Sequence, residues 1–337
     1  MTAAKKVVVV GGGIVGCITA LELINRGCQV TLIERNVVAS QTSGESSWAG
    51  AGILFPLLPW TYKDEVNQLA LAGASIYPKL CEHLLTTTGI DSDLITCGMQ
   101  ILAPENVLSA TDWCFKNNIP VQENAKGLFL PSVAQVRPPQ LLKALRLALI
   151  QSGVKLLEHT ELKPLTQIDQ LNIWQTTNGE YIEADQFVVT SGAWSFELLK
   201  NTAQNLNIKP MRGQILLYQQ IGEKLVHIVY ADGFYLVPRK DGLLLAGSTL
   251  EDVGFDKNTT EDVKLALQTK AESILPSLKN MPILKHWSGL RPGTPENLPT
   301  ISAHPSIQNL YLNTGHFRYG LTMAPASAKQ ITTIMCD

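Results

Sequence analysis

Several things are scarce in this 337-residue chain. Charged residues make up 17%, below the ~25% of an average domain. No run of lysine and arginine is longer than two, and Lys plus Arg at 27 against Asp plus Glu at 29 leaves a net charge of −2. A general nucleic-acid-binding surface is therefore excluded. The cysteines Cys17, Cys28, Cys81, Cys97, Cys114 and Cys336 form no C-x-x-C pair, and the six histidines never fall at H-x-x-x-H distance. Nothing supports a metal site, and scattered thiols suit a reducing cytosol better than a secreted disulfide frame. No apolar stretch reaches the 18 residues at which a membrane helix is read. Lys5-Lys6 followed by Val7–Leu21 looks superficially like a signal peptide, but that stretch carries four glycines and is closed by Glu22. A strand running into a glycine turn explains it better. There is no G-x-S-x-G elbow, which disfavours a hydrolase, and no basic amphipathic helix for membrane docking.

What is present is 45% hydrophobic residues, enough for a large core. The length suggests two domains or one with an insertion. Val7–Val10 is a β-branched run of the kind that forms a buried parallel strand. Gly11-Gly12-Gly13-Ile14-Val15-Gly16 follows, then a helix carrying Ile18, Leu21, Leu23 and Ile24, a stop at Gly27, and a second strand over Gln29–Ile33. Ser40–Gly52 is rich in small residues that permit close backbone approach. Helices are expected over Val66–Thr86, despite Pro78, and over Pro138–Gln151, where leucines recur at helical spacing. Val154–Leu157 reads as a third parallel strand. Asn178-Gly179 and Asp241-Gly242 mark two hairpins. Phe187–Thr190 reads as another strand, Glu261–Leu275 as a helix, and Leu310–Asn313 as a strand before a final helix. Cys97–Pro120 is mixed.

This pattern predicts an α/β fold. A Rossmann-like nucleotide domain is assembled from discontinuous segments (1–85, 140–205, 285–337), with an inserted antiparallel-sheet substrate domain (86–139, 206–284). Gly11, Gly13 and Gly16 fit G-x-G-x-x-G, and Glu34 stands 18 residues beyond Gly16 at the end of the next strand. Gly11 permits the tight turn, Gly13 lets amides approach a pyrophosphate, and Gly16 lets helix and strand pack closely. The helix N-terminus at Ile14 and Val15 faces the phosphate charge, while Glu34 can accept hydrogen bonds from a ribose. A glycine turn with no ligand is the plain alternative, and the motif alone does not separate FAD from NAD.

Further motifs do separate them. Ser46-Ser47-Trp48-Ala49-Gly50-Ala51-Gly52-Ile53-Leu54 and Val188-Val189-Thr190-Ser191-Gly192-Ala193-Trp194-Ser195 are followed by Tyr235-Leu236-Val237-Pro238-Arg239 and Gly247-Ser248-Thr249. Trp287-Ser288-Gly289-Leu290-Arg291-Pro292-Gly293-Thr294-Pro295 and Gly315-His316-Phe317-Arg318-Tyr319-Gly320-Leu321-Thr322-Met323-Ala324-Pro325 complete the series. Together, over nearly the whole chain, they resemble the D-amino acid oxidase superfamily of flavoproteins, and within it the glycine oxidases of the thiamine pathway. Sarcosine oxidases and D-amino acid dehydrogenases are relatives.

The resemblance implies noncovalent FAD extended through the first domain, with substrate against the flavin ring under a sheet of the second. Arg291 would pair with a substrate carboxylate, Tyr235 would hydrogen-bond the same group, and Arg318 would stand at the mouth of the site. Cofactor contacts would come from Gly11, Gly13, Ile14, Val15, Gly16, Glu34, Arg35, Ser47, Trp48, Ala51, Gly52, Leu162, Gly192, Trp194, Gly289, His316, Arg318, Tyr319, Gly320 and Leu321. His316 is expected as a structural donor rather than a base, Trp48 as packing beside the cofactor, and the helix start after Gly320 as an offset for negative charge on the flavin. The implied reaction oxidises glycine, another small amino acid or a secondary amine with oxygen, giving a 2-oxo acid, ammonia and hydrogen peroxide, in the cytosol. A D-amino acid dehydrogenase passing electrons to a quinone, a sarcosine-oxidase-like amine oxidase and a catalytically silent flavoprotein are the competing readings. No metal and no stable membrane insertion are expected; a homo-oligomer is compatible. Two positions depart from the family: Tyr319 replaces the common Asn, and Leu250 stands where Met is frequent. Cys336 lies outside the motif that carries covalent flavin in sarcosine oxidases.

Overall fold

A computed structural model describes residues 4–41, 44–204, 206–222 and 224–336. Thr42 and Ser43, inside the small-residue segment, lie outside the described residues. Strand β1 (Lys6–Val10) is the centre of a six-stranded sheet. It pairs in parallel with β2 (Gln29–Ile33) on one side and with Gln186–Val189 on the other. Lys155–Leu157 extends the sheet beyond β2, and Leu310–Thr314 extends it beyond Gln186–Val189. Both additions are parallel; Thr300–Ala303 closes the edge antiparallel.

The four valines of β1 are buried on both faces of this sheet. Val7 and Val9 pack with helix α1 (Ile14–Asn25), the helix Pro138–Gln151 and the C-terminal helix Gly320–Cys336. Val8 and Val10 pack with Leu171, Trp174, Phe187 and Leu310 on the other face. An unbroken apolar run is the sequence form of a strand covered on both sides.

The second layer is an eight-stranded sheet. Its edge strand Ile283–Gly293 pairs antiparallel with Lys209–Gln219, followed by Leu243–Gly247, Phe234–Pro238 and Ile228–Ala231. Met99–Leu102, parallel to its neighbour, then leads to Gly127–Leu130 and Gln122–Asn124. The expected boundary at 285 is corrected here: Ile283–Gly293 lies in this sheet along its whole length, and the chain returns to the nucleotide sheet only afterwards. Alternation sorts the strand Phe234–Pro238 between two faces. Phe234 and Leu236 pack under the helix Glu261–Ile274, while Tyr235 and Val237 face the nucleotide layer with Phe55 and Ala51.

Candidate active site

A cavity of about 380 Å³ runs between the two layers, from the β1–α1 turn and the end of β2 to Tyr235 and Arg291. Its nucleotide end is built by close approach. A Cβ on Gly16 would stand 1.9 Å from the Gly11 carbonyl oxygen and 2.7 Å from Thr190 Oγ1. Only glycine lets α1 start this near the strand ends. Gly11 itself has φ +113° and sits against the Thr190–Ser191 backbone. Gly11, Gly13, Ile14 and Val15 line the cavity, whereas Gly16 lies beneath it as packing.

Glu34 lies in the cavity wall with both carboxylate oxygens engaged. Oε2 accepts from the Gly12 amide at 2.8 Å, and Oε1 accepts from the Asn36 amide at 2.8 Å. Burial raises its pKa, and the two amide donors oppose that rise. Ser47 Oγ accepts from the Ile14 amide at 3.0 Å, which ties the small-residue segment to the start of α1. Arg35 lies over the Trp194 ring at 4.0 Å, and Trp194 stacks on Phe255 at 5.5 Å. Leu162, Gly192, Trp194, Ala51 and Gly52 also line the cavity. Arg239, absent from the expected set, fixes that last pair. Its Nη2 donates to the Ala51 carbonyl at 2.7 Å and its Nη1 to Val136 O at 3.0 Å. Burial, with the nearby Arg137 charge adding to it and Asp93 and Asp241 opposing it, brings its pKa down to about 10.

At the other end, the Arg291 guanidinium lies over Gly213, where a Cβ would come within 2.0 Å of Nη1. Nη1 donates to the Thr249 carbonyl at 3.1 Å and Nη2 to Ser248 Oγ at 2.8 Å. Among the described residues no carboxylate forms an ion pair with it. Burial lowers its pKa, and the adjacent Tyr235 hydroxyl acts in the opposite direction. Behind it, Arg212 is 4% exposed and bridges Glu251 at 2.7 Å and Asp256 at 2.6 Å. Glu251 in turn accepts from Thr249 Oγ1, so the segment carrying the Arg291 acceptors is pinned to the strand Lys209–Gln219.

His316, Phe317, Arg318, Tyr319, Gly320 and Leu321 form the elbow between the strand Leu310–Thr314 and the C-terminal helix, and all of them line the cavity. His316 is 2% exposed with Nε2 unpartnered, and burial lowers its pKa to about 3. It stays neutral near pH 7, a poor proton acceptor. Arg318 is exposed, and its amide donates to Asn297 Oδ1 at 3.0 Å. Besides Gly16, two residues expected at the cofactor do not line the cavity. Trp48 turns away from the cavity and stacks on Trp287 at 5.9 Å, because that face of the segment is taken up by the edge strand Ile283–Gly293. Gly289 is likewise outside the cavity, packed where a Cβ would meet Ala49 at 2.7 Å. Phe55 and Leu57, which line the substrate end, were not singled out by sequence; apolar residues after a glycine-rich segment read equally well as core.

Residues 6–334 match the FAD dependent oxidoreductase family. The chain belongs to that family. The described site fits the cofactor: glycines leave a cradle at the start of α1, Glu34 stands at the end of β2, and the cavity lining includes the buried His316, whose Nε2 has no partner. Among curated proteins, this FAD-dependent oxidoreductase is 39% identical to glycine oxidase of Pseudomonas aeruginosa, over 98% of the chain and 95% of that protein. It is 29% identical to the bifunctional protein ThiO/ThiG of Trichormus variabilis, matching 99% of the chain and 53% of that longer protein. The crystal structure of glycine oxidase from Geobacillus kaustophilus superimposes with a TM-score of 0.90 at 27% identity, covering 98% of this chain and 95% of that one. Among the described residues no helix is long and apolar enough to cross a membrane, and no group of His, Cys, Asp and Glu could hold a metal.

Proposed function

We propose that this oxidoreductase acts on glycine, or another small amino acid or secondary amine, with oxygen as acceptor, in the cytosol and within the thiamine pathway. Glycine, oxygen and water would give glyoxylate, ammonia and hydrogen peroxide. The observation that carries this reading is Arg291, a half-buried cation facing the cavity with only neutral acceptors around it and Tyr235 alongside. Such a group is built to receive a carboxylate, and a guanidinium can do so through two parallel hydrogen bonds. The similarity to glycine oxidases supports the same substrate class.

The nucleotide end would hold FAD through the Gly11–Val15 amides, Glu34, Arg35, Leu162 and the Gly192–Trp194 turn, with Ala51, Gly52 and the His316–Leu321 elbow near its ring. When bound, FAD supplies the acceptor for the hydride leaving the substrate Cα. The chain's own part is to orient and to exclude water. Arg291 and Tyr235 fix the carboxylate and so the direction of the Cα–H bond. Phe55, Leu57, Leu290 and Leu321 give that end an apolar lining. The start of the C-terminal helix, Gly320 to Thr322, lines the cavity, and its positive end would offset negative charge on a bound flavin. Incubating the FAD-loaded protein with glycine in air should yield glyoxylate, ammonia and peroxide in equal amounts. Reduction of a quinone dye without peroxide would make it a dehydrogenase, and no turnover with either acceptor would overturn the reading.

A further inference from the structure

Tyr319 stands where the family commonly has Asn, and its side chain does something an Asn is too short to do. The ring is 4% exposed, and its hydroxyl accepts from the Leu57 amide at 3.0 Å and donates to the Leu57 carbonyl at 3.2 Å. One hydroxyl thus satisfies both polar groups of a single residue, 262 positions away in sequence. Tyr62 packs edge-on against the ring with centroids 5.3 Å apart. Three residues further on, in the first turn of the C-terminal helix, Thr322 Oγ1 donates to the Ile53 carbonyl at 3.0 Å. The segment from Ile53 to Tyr62 is therefore strapped to the start of the C-terminal helix at both ends of its cavity-facing part. That part carries Phe55 and Leu57, which line the cavity with Tyr235 and Arg291, and Phe55 shares a packed cluster with Tyr235.

We propose that Tyr319 is a specificity-determining residue, whose hydroxyl clasps Leu57 so that Phe55 and Leu57 form a fixed roof that admits only small substituents on the amine and the α-carbon. The inference rests on the reading that substrate lies between this roof and Arg291. A roof held by two hydrogen bonds to one backbone residue cannot lift for a bulky amine without breaking both. An unstrapped segment would yield, gaining large substrates while enclosing small ones less well. The asymmetry is expected because a hydrophobic wall discriminates by fit, methylene by methylene.

The test compares wild type, Tyr319→Phe and Arg291→Ala, each loaded with FAD, on glycine, N-methylglycine and N-butylglycine. The readout is bleaching of the flavin absorbance by substrate without oxygen, which does not depend on the acceptor. Tyr319→Phe keeps the ring against Tyr62 and removes only the clasp. The preference for N-butylglycine over glycine should rise about 10-fold or more, through tighter binding of N-butylglycine and weaker binding of glycine. Leu57→Ala should shift the preference in the same direction by trimming the roof, and Tyr319→Phe added to it should shift it further, since the clasp binds the Leu57 backbone, which Ala keeps, and still holds Phe55 in place. A Tyr319→Phe protein with full FAD content and a preference within twofold of wild type overturns the clasp. If Tyr319→Phe does not fold, the decision passes to Leu57→Ala, and an unchanged preference there overturns it equally. Wild type that bleaches with none of the three, or Arg291→Ala that bleaches as well as wild type, would instead remove the substrate reading itself.

Discussion

Arg291 bears more of the proposed reaction than any other side chain, and its surroundings say what its loss should do. Its acceptors are a carbonyl and a hydroxyl, so removing it strands no partner carboxylate in the free protein, and Arg291→Ala should still fold and bind FAD. With substrate present, an unpaired carboxylate in a desolvated site costs about 3–5 kcal/mol. The kcat/KM for glycine should fall roughly 10²- to 5 × 10³-fold, with Arg291→Lys recovering only part. An amine lacking the carboxylate should be nearly indifferent to the substitution. Equal losses for both substrates would assign Arg291 to the fold instead. His316 makes a prediction of a different kind. Its folded pKa of about 3 lies below the ordinary 6.5, so the unfolded chain binds a proton that the folded chain refuses. Stability is therefore complete above pH 6.5 and is lost as pH falls from there towards 3. The contribution from this ring between pH 7 and pH 5 is about 2 kcal/mol. Denaturant titrations of the cofactor-free protein at those two pH values should show it, and His316→Asn should shrink the difference; an undiminished difference would place the acid sensitivity elsewhere.

Elements differ in how openly the sequence declares them. β1, α1 and β2 are legible because an uninterrupted valine run, a glycine turn and a helical repeat agree with one another. Asn178-Gly179 and Asp241-Gly242 mark hairpins because both central positions of such turns favour residues that tolerate positive φ. The two longest strands, Lys209–Gln219 and Ile283–Gly293, are hidden. Pro210, Gly213, Pro292 and Gly293 interrupt their alternation, and Gly213 is there for the Arg291 guanidinium rather than for the strand. The helix Val107–Lys116 is obscured because Leu108 and Phe115 are 78% and 86% exposed. In the site, the residues bound to motifs were legible, while Arg239, Phe55 and the Tyr319 hydroxyl act through tertiary neighbours that no local pattern reports. The pin formed by Arg212 belongs to this scale too. Arg212→Met would leave the half-buried Glu251 without its cation, a change that costs about 1–2 kcal/mol once solvent screening is counted. It should lower Tm, and also raise the KM for glycine, because Thr249 then holds Arg291 less firmly. A lower Tm with unchanged KM would make the pin purely structural.

For the molecule as a whole, the cavity lies between two sheets whose direct packing it interrupts, so a ligand filling it completes the core. FAD at 100 times its dissociation constant should add about 2.7 kcal/mol. For a chain of 337 residues that corresponds to a Tm higher by roughly 4 °C than that of the cofactor-free protein. The difference should grow with added FAD and vanish with NAD. Identical melting with and without FAD would mean that the cavity is not where the cofactor binds. The colour released by acid precipitation should stay in the supernatant, since the exposed Cys336 stands outside the cavity lining.

The pairing order of the nucleotide sheet also governs when, during synthesis, this protein can come into being. Its middle strand begins at Lys6, yet the neighbour on one side starts only at Gln186, and the next strand along on that side starts at Leu310. At translation rates of about 5–20 residues per second, roughly 15–60 s separate the first strand from the last. Until Leu310–Thr314 and the elbow after it have left the ribosome, one edge of Gln186–Val189 is bare and a whole wall of the flavin cavity is missing. A nascent chain cannot enclose its cofactor part-way; flavin loading has to wait until synthesis has passed the elbow and the start of the helix that follows it.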